Sequence, residues 1–469
     1  MIDRLVRLVN TAKDLNNLTN GSMLRNLIRF SLPYLLSCFL QTFYGLADLF
    51  IAGQYHGSET ITAVSVGSQI THFLTVVIVG LAMGTTVNIA RAVGSEEREK
   101  VSRTIGNTIT LFLAASVVMT GILAISRNVI VTAVSTPVEA VEQTTEYLLV
   151  CFCGIPLITA YNVISSIYRG LGDSKTPMYF VAVAGVINII LDMILMGPLG
   201  MGAFGAALAT VISQGISVLL AIWAMTHRNP GFELGRKDLK PSGDTMASIL
   251  RVGVPVAVQD GFIQISFLVI TAIANSRGVN VAAAVGIVEK MICFVFLVPS
   301  AMLSSVSAIA AQNAGAGKHE QGRKVLRYGI GISVCFGLII AFFCQFQTAE
   351  FLVGLFAKDE PEVVRLGTQY LKSYIFDCAL AGIHFCFSGY FCAYGRAGLS
   401  FVHNLLSVLL IRIPGAYITS IRYPDTLYPM GWAPPAGSLL SAVLCIGFFW
   451  ILHKKGDMYQ NNCQVREGD

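Results

Sequence analysis

Charge is what this sequence is short of. Asp, Glu, Lys and Arg make up 13% of its 469 residues, against roughly 25% in an ordinary soluble domain. With 54% hydrophobic residues and a mean hydropathy of +0.66, that excludes a soluble globular chain. Chemistry motifs are missing too. The string RGLGDSK lacks the GxxxxGK[ST] spacing of a phosphate-binding loop, so no ATPase is encoded. Seven histidines form no HxxxH or HExxH cluster, and neither a catalytic metal nor a cofactor is expected. Of eleven cysteines only Cys151 and Cys153 come close together, as CFC, which is neither a zinc spacing nor a redox CxxC. They read as small packing residues. Met1 to Asn20 is polar and lacks the apolar stretch of a cleavable signal peptide.

What is present is a series of twelve apolar runs, near 27–53, 61–91, 104–126, 147–169, 176–197, 201–225, 245–275, 281–312, 325–346, 366–394, 399–421 and 434–453. About 20 apolar residues span a bilayer's hydrocarbon core as a helix, and a helix satisfies its own backbone there. The expected fold is an all-α membrane protein of twelve transmembrane helices. Its segments are a cytoplasmic N-terminal stretch (1–26), a first half (27–226), a polar linker (227–244, HRNPGFELGRKDLKPSGD), a second half (245–453) and a tail (454–469).

The net charge of +5 reports topology rather than nucleic-acid binding. With the N-terminus inside, 24 of the 32 Lys and Arg fall in inner segments and six in outer ones; Lys290 and Arg412 lie within runs. By the positive-inside rule both termini are expected in the cytoplasm.

The chain also repeats itself. At an offset of about 221 residues SLPYLLSCFLQ meets VGVPVAVQDGF, with Pro33 and Pro255 one residue out of register. ITAVSVGSQ meets VAAAVGIVE, and GLAMGTTVNIARAVGSEERE meets AMLSSVSAIAAQNAGAGKHE. Same order and nearly constant offset argue for two homologous six-helix lobes in parallel. In transporters such repeats place the substrate site near the midplane.

Polar residues inside the runs are the candidate site. Asp48, near the end of the first run, would cost about 2.5 kcal/mol or more if ionised against lipid. Asp192 lies at a similar depth in the fifth run, with Asn188 one turn away on the same face; Thr210 in the sixth reaches the same level. These oxygen donors either hold a sodium ion, share and exchange protons, or simply cross-link helices. Pro33 breaks a backbone hydrogen bond within the first helix and is the expected hinge. Gln41 and Tyr44 either line a cavity or pack. In the second half Asp260, Glu289, Asp377 and Arg412 fall within or at the edges of runs, and Glu289 is a candidate for attracting a cationic substrate. The stretch equivalent to Asn188/Asp192 reads SVLLIRIPGAY, so ion coupling is expected in the first half alone. His72, His384 and His403 are expected to hydrogen-bond between helices.

At this point the chain resembles the multidrug and toxic compound extrusion (MATE) family over about 400 residues. The resemblance rests on the proline-bearing first helix ending LADLFIAGQYHG, the AMGTTVNIARAVGSEE and SAIAAQNAGAGKHE pair, YRGLGDSKTPMY, and NIILDMILMGPLGMGAFGAALATVISQ. It implies two six-helix lobes and export of amphipathic, cationic small molecules across the plasma membrane by antiport with Na⁺ or H⁺, with no partner beyond substrate and lipid, as a monomer. It implies an ion site at Asp48, Asn188, Asp192 and Thr210, with Asn162 a looser match. The alternative is a flippase for lipid-linked oligosaccharide or peptidoglycan precursors, whose cavity would be rich in Arg and Lys.

Overall fold

The computed structural model describes residues 18–134, 136–227, 234–357 and 360–455, so the N-terminal stretch, the linker and the tail lie partly outside the described residues. Among the described residues every regular element is a helix. In chain order the membrane-length elements are α1 (Met23–Tyr55), α2 (Ser58–Gly94), α3 (Arg98–Ala133), the bent pair α4 (Val138–Cys153 and Ile155–Gly170), α5 (Lys175–Met196) and α6 (Gly202–His227). They continue with α7 (Gly243–Asn275), α8 (Val279–Gly315), α9 (His319–Cys344), the bent pair α10 (Pro361–Tyr374 and Asp377–Ala393), α11 (Ala397–Arg422) and α12 (Met430–Lys454). A short helix, Thr348–Gly354, joins α9 to α10.

Each helix outlasts its apolar run, because hydropathy marks only the part that lies in hydrocarbon. The 36 residues of α3 rise about 54 Å, well beyond a core of about 30 Å. Its exposed side chains Leu113, Val117, Val118, Ile122, Ile125 and Val129 recur every three or four positions. This apolar stripe points away from the bundle, as a lipid-facing helix requires. The 49° bend in α4 has a local cause. Pro156 follows the break at Gly154, cannot donate to a carbonyl four residues back, and presses its ring against that turn. By contrast α1 runs unbroken through Pro33 and α7 through Pro255. The Pro33 carbonyl accepts a hydrogen bond from Ser37 Oγ at 3.0 Å.

Two compact units divide the chain. One holds Leu32–Gly253 and the other Thr19–Ser31 with Val254 onward. The divisions in α1 and α7 therefore fall just ahead of Pro33 and Pro255. Within the first unit the described part of the linker is docked rather than free: Asn107 Nδ2 donates to the Asp238 carbonyl (3.2 Å), Ser242 N–H donates to Asn107 Oδ1 (2.7 Å), and Thr110 Oγ1 donates to the Leu239 carbonyl (2.8 Å).

Without a hydrophobic drive between helices in lipid, close packing of small residues does the work. A Cβ on Gly84 would strike the Ile249 carbonyl, and one on Gly253 the Leu81 carbonyl. In the second unit a Cβ on Gly389 would meet the Leu303 carbonyl. Backbone cannot yield as a side chain does. Gly84→Val is therefore expected to destabilise by about 1–3 kcal/mol, the usual cost of overpacking. Gly331→Ala, with nothing within 4 Å, is expected to be neutral or slightly stabilising. Melting curves of the two purified variants check the contrast.

Candidate ion-coupling site

Three helices of the first unit bring the expected residues together. Asp48 on α1 lies beside the Asp192 carboxyl on α5 and the Thr210 hydroxyl on α6. Asp48 is 4% exposed, and Asn188 and Asp192 are 0% exposed. The i, i+4 spacing of Asn188 and Asp192 turns both inward on one face of α5. Asp48 Oδ1, both Asp192 oxygens and both polar atoms of the Asn188 amide are sealed from solvent with no hydrogen-bond partner among the described residues. Buried polar groups are nearly always paired; five orphans in one cluster mark a place built for something else. Thr210 Oγ1 donates to the Ala206 carbonyl at 3.1 Å, which leaves its lone pairs free to accept. The donor set is all oxygen, as hard monovalent cations and protons prefer.

The surroundings contain residues the sequence did not single out. Tyr147 on α4 sits within electrostatic reach of both carboxyls, its ring against Gly67 where no side chain intervenes. Gln214 Nε2 donates to Tyr44 Oη at 3.3 Å, tying α6 to α1, while Gln214 Oε1 is another buried orphan. Gln214 lies four residues after Thr210, the spacing already used for Asn188 and Asp192, so the signal was in the sequence. The Tyr44 ring packs on Gly185, where a Cβ would be 3.3 Å away. Gln41 is half-buried. Asn162 is buried, but its amide donates back to the Ile158 carbonyl of its own helix at 2.8 Å.

Glu289 belongs to the second unit. Its Oε2 accepts from Thr271 Oγ1 on α7 at 3.0 Å and its Oε1 is unpartnered. Asp260 is half-buried on α7, and Asp377 is fully buried against Arg412. Two of the three histidines bond across helices, His384 to Ser438 Oγ (3.3 Å) and His403 to Ser388 Oγ (3.0 Å). His72 does not join them: its side chain is exposed and has no such bond among the described residues.

The MatE family profile matches residues 33–194 and again 255–418, the two copies beginning on Pro33 and Pro255. The chain belongs to the MatE family. It is a multi-pass membrane transporter and not an enzyme. Among MatE relatives, a probable multidrug resistance protein of Bacillus subtilis, YpnP, is 29% identical over 397 residues, covering 84% of this chain and 88% of that one. An FAD transporter of Shewanella oneidensis is 25% identical over 453 residues, covering 92% and 96%. A solved MATE in complex with MaL6 superposes with a TM-score of 0.88 at 23% identity, over 96% of this chain and 99% of that one. This likeness establishes the two-lobed fold.

Burying unpartnered acids costs stability. Asp192→Asn removes one of the two adjacent acids, and with it the cost of holding an unpartnered ionisable group beside Asp48, and is expected to melt higher than the native protein at neutral pH without added sodium. Asn188→Asp adds a third acid and is expected to melt lower. Thermal denaturation of the purified proteins reads both.

Proposed function

We propose that this MatE protein exports amphipathic, cationic small molecules across the plasma membrane, as a monomer with both termini in the cytoplasm, in exchange for inward Na⁺ or H⁺. The observation that carries this reading is the sealed Asp48–Asp192 pair with Asn188 and Thr210 around it. Two carboxylates side by side in a low dielectric cannot both stay charged without a compensating cation. The pair therefore takes up a cation from outside and gives it up inside.

Cation uptake removes the repulsion between α1 and α5 and favours one arrangement of α1. Pro33 supplies the weak point, since the helix lacks a backbone hydrogen bond there. The two arrangements must bind cation and substrate with different affinity, or neither ligand drives the other. Tyr44, Gln214 and Tyr147 border the pair and are placed to transmit the change; Gln41 and Asn162 of the first unit, and separately Glu289 of the second, are the candidate substrate contacts. No cofactor is required beyond the transported ion. A pyrophosphate cargo fits less well, because a precursor flippase needs free cationic donors. Here Arg412 already engages Asp377 and Lys290 is exposed.

The test is ethidium efflux from proteoliposomes under a sodium or a proton gradient imposed separately. Efflux driven by one gradient, and reduced at least tenfold by Asp192→Asn, supports the reading. Folded protein that moves no organic cation under either gradient overturns it.

A further inference from the structure

The second unit carries a buried charge cluster that the first-half site does not explain. Arg412 is 8% exposed and Asp377 0% exposed. Arg412 Nη2 lies 3.4 Å from Asp377 Oδ2 and donates to Tyr374 Oη at 2.9 Å, and the guanidinium stacks over the Phe267 ring at 5.1 Å.

A local irregularity puts it there. Val408–Arg412 is a five-residue π turn within α11. In a regular α-helix Ser407 and Arg412, five residues apart, would point about 140° apart. Both instead line one cavity of ≈ 30 Å³ and face the same glycine. A Cβ on Gly437 of α12 would lie 2.8 Å from Ser407 Oγ and 3.4 Å from Arg412 Cβ. The wider turn brings Arg412 round to the interior, a use of π turns that recurs at functional positions.

Oxygen atoms from neighbouring helices converge on the guanidinium. Asp377 opens the second segment of α10, where the helix N-terminus favours a carboxylate. Glu289 of α8 is within electrostatic reach, as are Tyr370 and Tyr374 of α10. His384, bonded to Ser438, faces the same cavity. Among the described residues Glu289 Oε1, Asp377 Oδ1 and Tyr370 Oη have no hydrogen-bond partner. Without the arginine, Asp377, Glu289 and the two tyrosine hydroxyls would surround the position its guanidinium now holds, an oxygen donor set for a hard monovalent cation.

We propose that Arg412 is a tethered cation that fills this seat and so determines ion specificity: the second half binds no free alkali cation. A covalently attached guanidinium faces its site at a high effective concentration, and one of its nitrogens, Nη2, reaches both Asp377 Oδ2 and Tyr374 Oη above the Phe267 ring. An exchangeable ion in solution would have to displace a group that cannot leave.

Trp432 provides a local reporter. It stacks on Phe376, the residue preceding Asp377, with centroids 5.3 Å apart and planes at 11°. The chain has three tryptophans, so Trp223→Phe with Trp450→Phe leaves Trp432 alone in the full-length protein. NaCl is then titrated against choline chloride at constant ionic strength. With Arg412 intact the fluorescence is expected to stay flat. Arg412→Gln is expected to show a saturable sodium response and a melting temperature that rises with sodium. Adding Asp377→Asn to it abolishes both, and Arg412→Lys restores the flat response. A sodium response of the Arg412-intact protein that Asp377→Asn, shown to be folded, removes overturns the proposal. Folded Arg412→Gln that is indifferent to sodium and potassium overturns it as well. Neither readout uses transport, so the outcome is separate from that of the efflux test.

Discussion

The structure depends on the cost of pressing two carboxyl groups together away from water. Asp48 and Asp192 are held there by helices whose packing leaves no alternative: α5 turns Asn188 and Asp192 inward together, and α6 closes the third side with Thr210 and Gln214. Desolvation disfavours charge, and proximity disfavours two charges more than one. Such a site is unstable on its own terms. In the antiport proposed here a cation relieves that cost, and because only a ligand with different affinity for two states can shift their balance, the local instability is what would couple the ion to the arrangement of α1.

The duplication sharpens this picture. With Pro33 aligned on Pro255, Asp48 corresponds to Ile270, which is 1% exposed within the apolar core of the second unit. Asp192 falls opposite the first turn of the helix that follows the π turn. The first half carries the Asp48–Asp192 pair. The second has a buried isoleucine at the Asp48 position and carries Arg412 in the stretch opposite Asn188 and Asp192, balanced by Asp377 from a different helix. In the roles proposed above, one copy of the scaffold takes a mobile counter-ion and the other an immobile one.

Most of the fold was legible in the sequence, because a bilayer requires long apolar runs and self-contained backbone bonding, and both leave unambiguous traces. The bend in α4 was legible too, in Gly154 and Pro156, though it was read as one run. The break in α10 has no proline or glycine at Ile375 and Phe376, so nothing local announced it. In the site, periodicity paired Asn188 with Asp192 and depth placed Asp48 and Thr210 level with them. Tyr147 escaped because aromatic residues at membrane depth are commonplace, and only its position within electrostatic reach of both carboxyls sets it apart. Asn162 was placed by resemblance, yet its amide is spent on its own helix. The Arg412–Asp377 pair escaped because a π turn shifts helical phase, and no regular wheel places residue 412 beside Ser407.

The most direct measurement of the central claim is ion release on substrate binding. Purified protein in weakly buffered detergent receives tetraphenylphosphonium while a dye follows pH, with and without sodium. Because coupling between two ligands is reciprocal, substrate should expel protons from the native protein, or weaken sodium binding, and do neither when Asp48→Asn and Asp192→Asn are combined. Release of the same size from that double variant would contradict the account, since the exchanged cation would then sit elsewhere.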